Sequence, residues 1–197
     1  GATEVCIQGG IHPNKDHTHY REILTSIKGA FPDLHIHAFS PLEVWQGAKT
    51  LRLTVAEFLY RLHDAGLDTL PGTAAEVLDD EIRKIICPDK LNTEEWLSVM
   101  RDAHEVGFRT TATMMYGHLE KPKHLARHFI RLRELQKQTS HTGRSGVFTE
   151  FVPLPFVHME ATIFLKGKTR KGPTFREAVL VHAVARLVLH PYFNNIQ

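Results

Sequence analysis

Hydrophobic and polar positions along this chain switch repeatedly between two periods, and the switching lays out alternating strands and helices. Near the start, Thr3-Glu4-Val5-Cys6-Ile7-Gln8 puts Val5 and Ile7 on one face, the period of a strand. Leu34, Ile36 and Ala38 alternate with His35, His37 and Phe39 in the same way, after a break at Pro32. Leu67 to Leu70, Arg109 to Met115 and Val147 to Val152 are three more strand candidates. Between them the spacing lengthens. Ile23, Leu24 and Ile27 give the segment from about His19 to Ala30 one apolar face. Thr54-Val55-Ala56-Glu57 is a capping box opening a helix with Val55, Phe58, Leu59 and Leu62 on one side. Asn92 or Thr93 caps a helix with Trp96, Met100 and Ala103 inward, closed by Gly107. Pro122 suits the first turn of a helix carrying Leu125, Phe129, Leu132 and Leu135. Thr174-Phe175-Arg176-Glu177 opens the last, which runs to His190-Pro191.

The stretch from Gly66 to Leu78 condenses the repeating unit. Gly66 closes a helix, Leu67 to Leu70 is a short buried strand, and Pro71-Gly72 turns the chain. Thr73 is expected to cap a helix from Ala74 to about Ile86, where Pro88 stops it. Small residues there leave backbone N–H groups open to a polar or anionic ligand. The pairs His63-Asp64-Ala65-Gly66-Leu67 and His104-Glu105-Val106-Gly107-Phe108 resemble one helix-to-strand joint used twice.

Alternation of this kind implies a parallel sheet. Five strands and the start of a sixth, about five to six βα units, make one domain over residues 1–197. A full (β/α)₈ barrel takes about 250 residues. The chain is already strand-like at Thr3 and stops at Asn195-Ile196-Gln197, where another strand should begin. The expected fold is therefore α/β, a partial TIM-type barrel truncated at both ends, with a doubly wound open sheet as the alternative. No G-x-G-x-x-G follows a strand, which weakens the dinucleotide-binding version of that alternative.

Composition narrows the function classes. Of 197 residues, 42% are apolar and 23% charged, as in a soluble globular domain. A net charge of +2 argues for neither nucleic acid nor a membrane surface as partner. Fourteen histidines make the charge sensitive to pH below neutrality. The two cysteines, Cys6 and Cys87, form neither a disulfide framework nor a metal-ligand spacing, which points to a reducing compartment, the cytosol. No apolar run is long enough for a spanning helix, and the N-terminus carries no signal-like segment.

In an α/β fold the chemistry belongs at the carboxyl ends of the strands. These exits carry Gln8-Gly9-Gly10-Ile11-His12, His37 with Ser40, Pro71 to Glu76, Tyr116-Gly117-His118-Leu119-Glu120, and Pro153-Leu154-Pro155. There is no G-x-S-x-G elbow and no H-E-x-x-H helix. Glu76, Glu120 and Glu150 lie on different units, so spacing defines no carboxylate pair. His35 and His37, two apart on a strand, share a face and could bind metal; with no third ligand in view, a hydrogen-bonded pair lining a barrel is favoured. His12 and His118 sit beside glycine in exit loops as candidates to touch substrate.

Five stretches in order along the chain carry a resemblance: Cys6-Ile7-Gln8-Gly9-Gly10-Ile11-His12-Pro13, His37-Ala38-Phe39-Ser40-Pro41, the Gly66 to Leu78 stretch, Thr110 to His118, and Glu150-Phe151-Val152-Pro153-Leu154-Pro155-Phe156. Together they resemble the radical S-adenosylmethionine (SAM) enzymes that make the deazaflavin chromophore FO, in particular the tyrosine-using half, and less closely the futalosine-pathway enzymes of menaquinone synthesis. The resemblance implies SAM and a 4Fe–4S cluster as cofactors. It also implies small-molecule substrates: tyrosine and a ribityl-diaminouracil, 5-amino-6-ribitylaminouracil.

Carried over residue by residue, the resemblance places Gln8, Gly9 and Gly10 at the motif whose backbone carbonyls hold the SAM amino group, with Ile11 in place of its acid. Thr113-Met114-Met115-Tyr116-Gly117-His118-Leu119-Glu120 falls on a looser G-x-I-x-G-x-x-E pattern beside the adenosine, with Thr113 and Met115 as departures. It thus implies cofactor contacts from Gly72, Thr73, Glu76, Tyr116, Gly117 and Glu120, and a SAM carboxylate paired by Arg83 or Lys90. Substrate contacts fall to His12, His37, Ser40 and His118; no catalytic residue or protein metal ligand is assigned. The family's cluster sits in a C-x-x-x-C-x-x-C loop after the first strand, whose three thiolates leave one iron open for SAM. Neither cysteine here belongs to such a motif, so the loop is expected upstream of Gly1. Two readings from other classes stand beside this one: a metal-dependent barrel hydrolase using His35, His37 and another histidine, and a non-catalytic fragment or binding module.

Overall fold

Helix caps decide most of the boundaries. The structure is a computed structural model and describes residues 1–11, 18–140 and 146–197. It begins with strand β1 (Glu4–Ile7) and helix α1 (His19–Ala30), then β2 (His35–Ala38), α2 (Pro41–Thr50) and α3 (Val55–Asp64). The Thr54–Glu57 capping box forms as read from the sequence. An equivalent box, Ser40 with Glu43, opens α2, a helix the hydrophobic pattern does not announce. Next come β3 (Thr69–Leu70), α4 (Asp80–Ile86) and α5 (Thr93–Val106), the last capped by Asn92 and closed by Gly107 in the left-handed region. Then follow β4 (Arg109–Tyr116), α6 (Pro122–Ser140), β5 (Phe148–Pro155), the single turn α7 (Thr162–Leu165), α8 (Phe175–Leu189) and β6 (Asn195–Ile196).

One expectation fails between β3 and α4. Thr73 caps nothing, and residues 71–79 are irregular, with Ala74 and Glu76 at φ 58° and 47°. Asp79 is the cap of α4 instead, accepting a hydrogen bond from the Glu81 N–H. Tertiary bonds override the helix propensity of Ala74-Ala75-Glu76. The buried Arg83 guanidinium donates to the carbonyls of Ala74, Ala75 and Leu91. The Met115 N–H donates to the Glu76 carbonyl at 2.8 Å, so this segment runs beside β4 much as a strand would.

The six strands form one parallel sheet in the order β1-β2-β3-β4-β5-β6. A doubly wound sheet reverses its order at a switch point and carries helices on both faces. Here the order never reverses and only one face is apolar, which is the winding of a barrel. Ile36, Ala38, Leu70, Ala112, Met114 and Phe151 occupy that face and pack with Leu24, Leu59, Trp96, Met100 and Phe129 from the helices. The other, inner face is polar. Register sets Glu4 beside His35, Cys6 beside His37, His37 beside Thr69, and Thr69 beside Arg109. An irregularity at Thr110/Thr111 then brings Thr111 opposite Glu150, which pairs with Asn195. Among the described residues no helix is long and apolar enough to cross a membrane.

Candidate active site

At the carboxyl end of β1, Gln8, Gly9 and Gly10 are exposed. Gly9 is fixed all the same: its N–H donates to Oε1 of Glu43 at 2.9 Å. Glu43 is 1% exposed, and its Oε2 accepts from both the N–H and the hydroxyl of Ser40 at 2.7 Å. One buried carboxylate thus ties the β1 exit to the β2 exit while capping α2. Sequence reasoning passed over Glu43, although Ser40-Pro41-Leu42-Glu43 has the S-x-x-E form recognised at Thr54 and Thr174. Ser40, expected to meet substrate, is buried with its hydroxyl committed to Glu43. Among the described residues a Cβ on Gly10 would meet nothing, so backbone is open to a ligand there.

Gly72 is a glycine for a different reason. A Cβ at this position would sit on the backbone carbonyl oxygen of Thr111. Its N–H donates to Thr111 Oγ1 at 3.0 Å and its carbonyl accepts from Thr113 Oγ1 at 2.9 Å. The expected room for a cofactor beside Gly72 is filled by β4. The residues after it are less complete. The Thr73 hydroxyl is buried with no hydrogen-bond partner among the described residues, while the Thr73 carbonyl accepts from Trp96 Nε1 at 3.0 Å. Glu76 forms an ion pair with Lys90 at 2.8 Å, both partly exposed. Arg83, the other candidate for a SAM carboxylate, is 3% exposed and committed to backbone carbonyls.

The exit of β4 is closed on itself. Glu120 Oε1 accepts the Gly117 N–H at 2.7 Å and Oε2 the His118 N–H at 2.9 Å, with Arg170 3.5 Å from Oε1. His118 is 1% exposed, and its Nδ1 accepts from the Leu119 N–H at 2.8 Å. That leaves Nε2 to donate to the Met115 carbonyl at 3.1 Å. Burial, the leading cause, holds the His118 pKa below its ordinary value despite the neighbouring Glu120. Gly117 has φ 94° and packs against Pro173. The Tyr116 ring points into the helix layer, where burial raises its phenol pKa. Gly117, His118 and Glu120 therefore meet one another and Tyr116 leaves the sheet's inner face; their bonds build the loop. His12 lies outside the described residues, as do residues 141–145.

On the inner face, His35 Nε2 and His37 Nδ1 both bond the Thr69 hydroxyl, at 2.8 and 2.7 Å. This is the hydrogen-bonded pair expected of a barrel lining, with Thr69 as the partner the sequence does not reveal. Burial, the largest influence, lowers the His37 pKa. Among the described residues, the one group of three potential metal ligands is Asp79, Glu81 and His124. Lys123, Arg127 and His124 Nε2 already occupy its carboxylates, and His124 Nδ1 accepts from the Lys121 N–H. Among the described residues no third ligand joins His35 and His37.

The chemistry of the donors fits SAM at the exits of β1 and β3. The exposed Gln8–Gly10 backbone offers carbonyls for an amino group, Lys90 a cation for a carboxylate, and Thr73 an unused hydroxyl. A 4Fe–4S cluster does not fit these residues. It needs three thiolates, whereas the chain has two cysteines, Cys6 exposed on β1 and Cys87 buried after α4 with its thiol pKa raised by burial.

Residues 1–132 match the model of the Radical SAM superfamily. Over all 197 residues the chain is 49% identical to "FO synthase" of Streptomyces avermitilis, of which it covers 22%. It is 48% identical to "5-amino-6-(D-ribitylamino)uracil--L-tyrosine 4-hydroxyphenyl transferase" of Methanothermobacter thermautotrophicus, of which it covers 52%. The chain thus spans between about a fifth and about half of the length of these relatives. Among solved structures, Elp3 of the archaeon Methanocaldococcus infernus superposes with a TM-score of 0.66 at 12% identity, over 98% of this chain and 46% of that one. A domain of pyruvate-formate lyase-activating enzyme from Bacteroides vulgatus does so with 0.58 at 13% identity, over 99% of each. At such identities these two speak for the fold alone.

Proposed function

The chain belongs to the radical SAM superfamily, and we propose that it forms the cofactor- and substrate-holding part of a cytosolic enzyme that transfers the 4-hydroxybenzyl group of tyrosine to 5-amino-6-ribitylaminouracil, on the way to FO. The observation that carries this reading is identity of 47–49% across all 197 residues to FO synthases and to the tyrosine-using transferases.

In this reading Gln8, Gly9 and Gly10 face the SAM amino group, and Glu43 keeps their loop in place by holding the Gly9 N–H. Lys90 pairs the SAM carboxylate, releasing Glu76 toward the ribose, and Thr73 gives its unused hydroxyl to the same ligand. Gly72, Gly117, His118 and Glu120 are positioning residues that hold these exits against β4. When bound, SAM would supply hydrogen-atom abstraction from tyrosine, once one electron from an external reductant has cleaved it to methionine and a 5′-deoxyadenosyl radical. The protein's share is to orient both substrates and keep water from the radical. No step is assigned here to a cluster, because Cys6 and Cys87 cannot build one.

The test is anaerobic, on the natural gene product that carries these residues. After reconstitution with iron and sulfide, it is given dithionite, SAM, tyrosine and 5-amino-6-ribitylaminouracil, and products are followed by mass spectrometry. The expected outcome is 5′-deoxyadenosine together with a 4-hydroxybenzyl adduct of the uracil. Deoxyadenosine formation that needs tyrosine but yields no uracil adduct would overturn the assignment of the acceptor.

A further inference from the structure

The inner face holds a cavity of about 190 Å3 near the amino ends of the strands, below the exits just described. Its lining is four threonines, two histidines, two glutamates and one arginine, with no apolar residue. Cavities that enclose whole drug-sized ligands run to roughly 300–1,000 Å3 and are mostly apolar. This one suits a small and wholly polar part of a substrate. A phenol ring would find no apolar wall in it.

Its hydrogen-bonding pattern is more specific. The Thr69 hydroxyl has one proton, yet it bonds two imidazole nitrogens. With both rings neutral, at most one nitrogen can accept that single proton, so at least one ring donates to the oxygen, which can accept two hydrogen bonds. The far nitrogen of a donating ring, His35 Nδ1 or His37 Nε2, is then an acceptor. A ring that accepts the Thr69 proton instead presents an N–H donor. Burial favours the neutral form of His37; the charges facing the pair are Glu4 from β1, Arg109 from β4 and Glu150 from β5, with the Cys6 thiol beside His37 in register. Across the cavity Glu150 Oε2 is held by Asn195 and Gln197 at 3.0 and 2.7 Å, and Oε1 bonds nothing among the described residues. Thr111 Oγ1 accepts from the Gly72 N–H and keeps its own proton for another partner. Adjacent donors and acceptors of low net charge match a chain of hydroxyl groups, each of which both gives and takes a hydrogen bond.

We propose that this cavity, framed by His35, His37, Thr69, Thr111 and Glu150, binds the ribityl chain of the aminouracil. The assignment rests on the function proposed above for its choice of substrate. Reach is consistent with it. Thr111 lies five residues before Tyr116, roughly 16 Å down the inner face at a strand rise of ~3.3 Å per residue. A pyrimidine with an extended five-carbon chain covers most of that span, so a tail held here leaves the ring just beneath the SAM exits.

The test uses equilibrium binding to the intact enzyme, with no turnover. Its probes are 6-(D-ribitylamino)uracil and 6-methylaminouracil, which differ only in the polyol. The wild type should bind the ribityl probe at least about tenfold more tightly. Thr69→Val and Glu150→Gln should each remove most of that preference while leaving the methylamino probe and SAM unchanged, and Thr69→Ser should keep it. Preference surviving in both variants, or an equal loss for both probes, would overturn the proposal. An enzyme that forms the tyrosine adduct without this dependence leaves the function standing and this site refuted. An enzyme that shows the dependence but never uses tyrosine refutes the function and leaves a polyol site.

Discussion

Two strand exits, after β3 and after β4, look alike in sequence: each has a turn with glycine, a hydroxyl or imidazole group, and a glutamate three or four residues on. They behave differently. After β4, Glu120 and His118 are buried and their hydrogen bonds return to the loop itself. After β3, Gly72 is locked to β4, but Thr73 keeps an unpartnered hydroxyl and Glu76 meets Lys90 at the surface. A loop with satisfied polar groups is a clamp. A loop that buries an orphan hydroxyl carries a destabilising group, and a ligand is a physical reason to keep one. Resemblance to a cofactor motif does not separate these cases; the hydrogen-bond inventory does.

The largest effect expected from this contrast is at Gly72. Gly72→Val drives a side chain into the Thr111 carbonyl, fixed backbone that cannot yield. A loss of about 4 kcal/mol or more is expected, enough to leave the purified protein unfolded or with a much reduced urea midpoint. Gly10→Val meets open space and should leave that midpoint unchanged while weakening SAM binding to the intact enzyme. A folded Gly72→Val protein with normal melting would mean that β3 and β4 are further apart than described.

Next in size is the clamp. Glu120→Ala removes the acceptor for two loop N–H groups and the weaker of Arg170's two ion pairs, at an expected cost of about 2–3 kcal/mol. Its thermal midpoint should drop by several degrees with or without SAM. A variant that melts like wild type alone, and differs only once SAM is added, would move Glu120 from positioning the loop to touching the ligand.

The β3 exit is also tied to a buried histidine. His128 Nδ1 accepts the Leu78 N–H at 2.9 Å, and burial, the leading cause, brings its pKa down to about 3. Above pH 6.5 the ring is neutral folded or unfolded, and pH has no leverage. Between 6.5 and about 3 the unfolded chain binds a proton that the folded one refuses, so stability falls with acid by about 1.4 kcal/mol per pH unit. Urea midpoints at pH 7.5, 6 and 5 should show this, and His128→Asn should flatten the trend by one proton. His104, also lowered to about 3 by burial, contributes an equal slope from another place and should persist in that variant. An unchanged slope in His128→Asn would mean that the ring already accepts a proton in the fold.

The sequence was a good guide where structure is local and a poor one where it is not. Capping boxes at Thr54 and Thr174, the Asn92 cap, Gly107 and the alternation around His35 and His37 depend on neighbours in the chain, and all form as read. The segment after Gly72 has helical residues but lies outside any helix, because its carbonyls go to the Arg83 side chain, two turns further on, and to Met115 on another strand. His35 and His37 were placed on one face by spacing alone, while their shared partner Thr69 comes from another strand. Glu43 is legible in the S-x-x-E signature, which starts at Ser40, a residue that the resemblance assigns to substrate.

The smallest predicted change tests the contrast most cleanly. Thr73→Val replaces a buried, unpartnered hydroxyl with a methyl of nearly the same shape and leaves untouched the backbone carbonyl that Trp96 binds. Relieving an unsatisfied polar group should stabilise the ligand-free protein by up to about 1 kcal/mol, a rise of a few degrees at most. In the intact enzyme the same change should weaken SAM binding several-fold, so that added SAM raises the melting temperature less than it does in wild type. Stability and cofactor affinity should therefore move in opposite directions at Thr73, whereas at Glu120 the damage is to stability whether or not SAM is present. A Thr73→Val protein that is less stable on its own and binds SAM normally would show that the hydroxyl serves the fold, and the β3 exit would then be a second clamp.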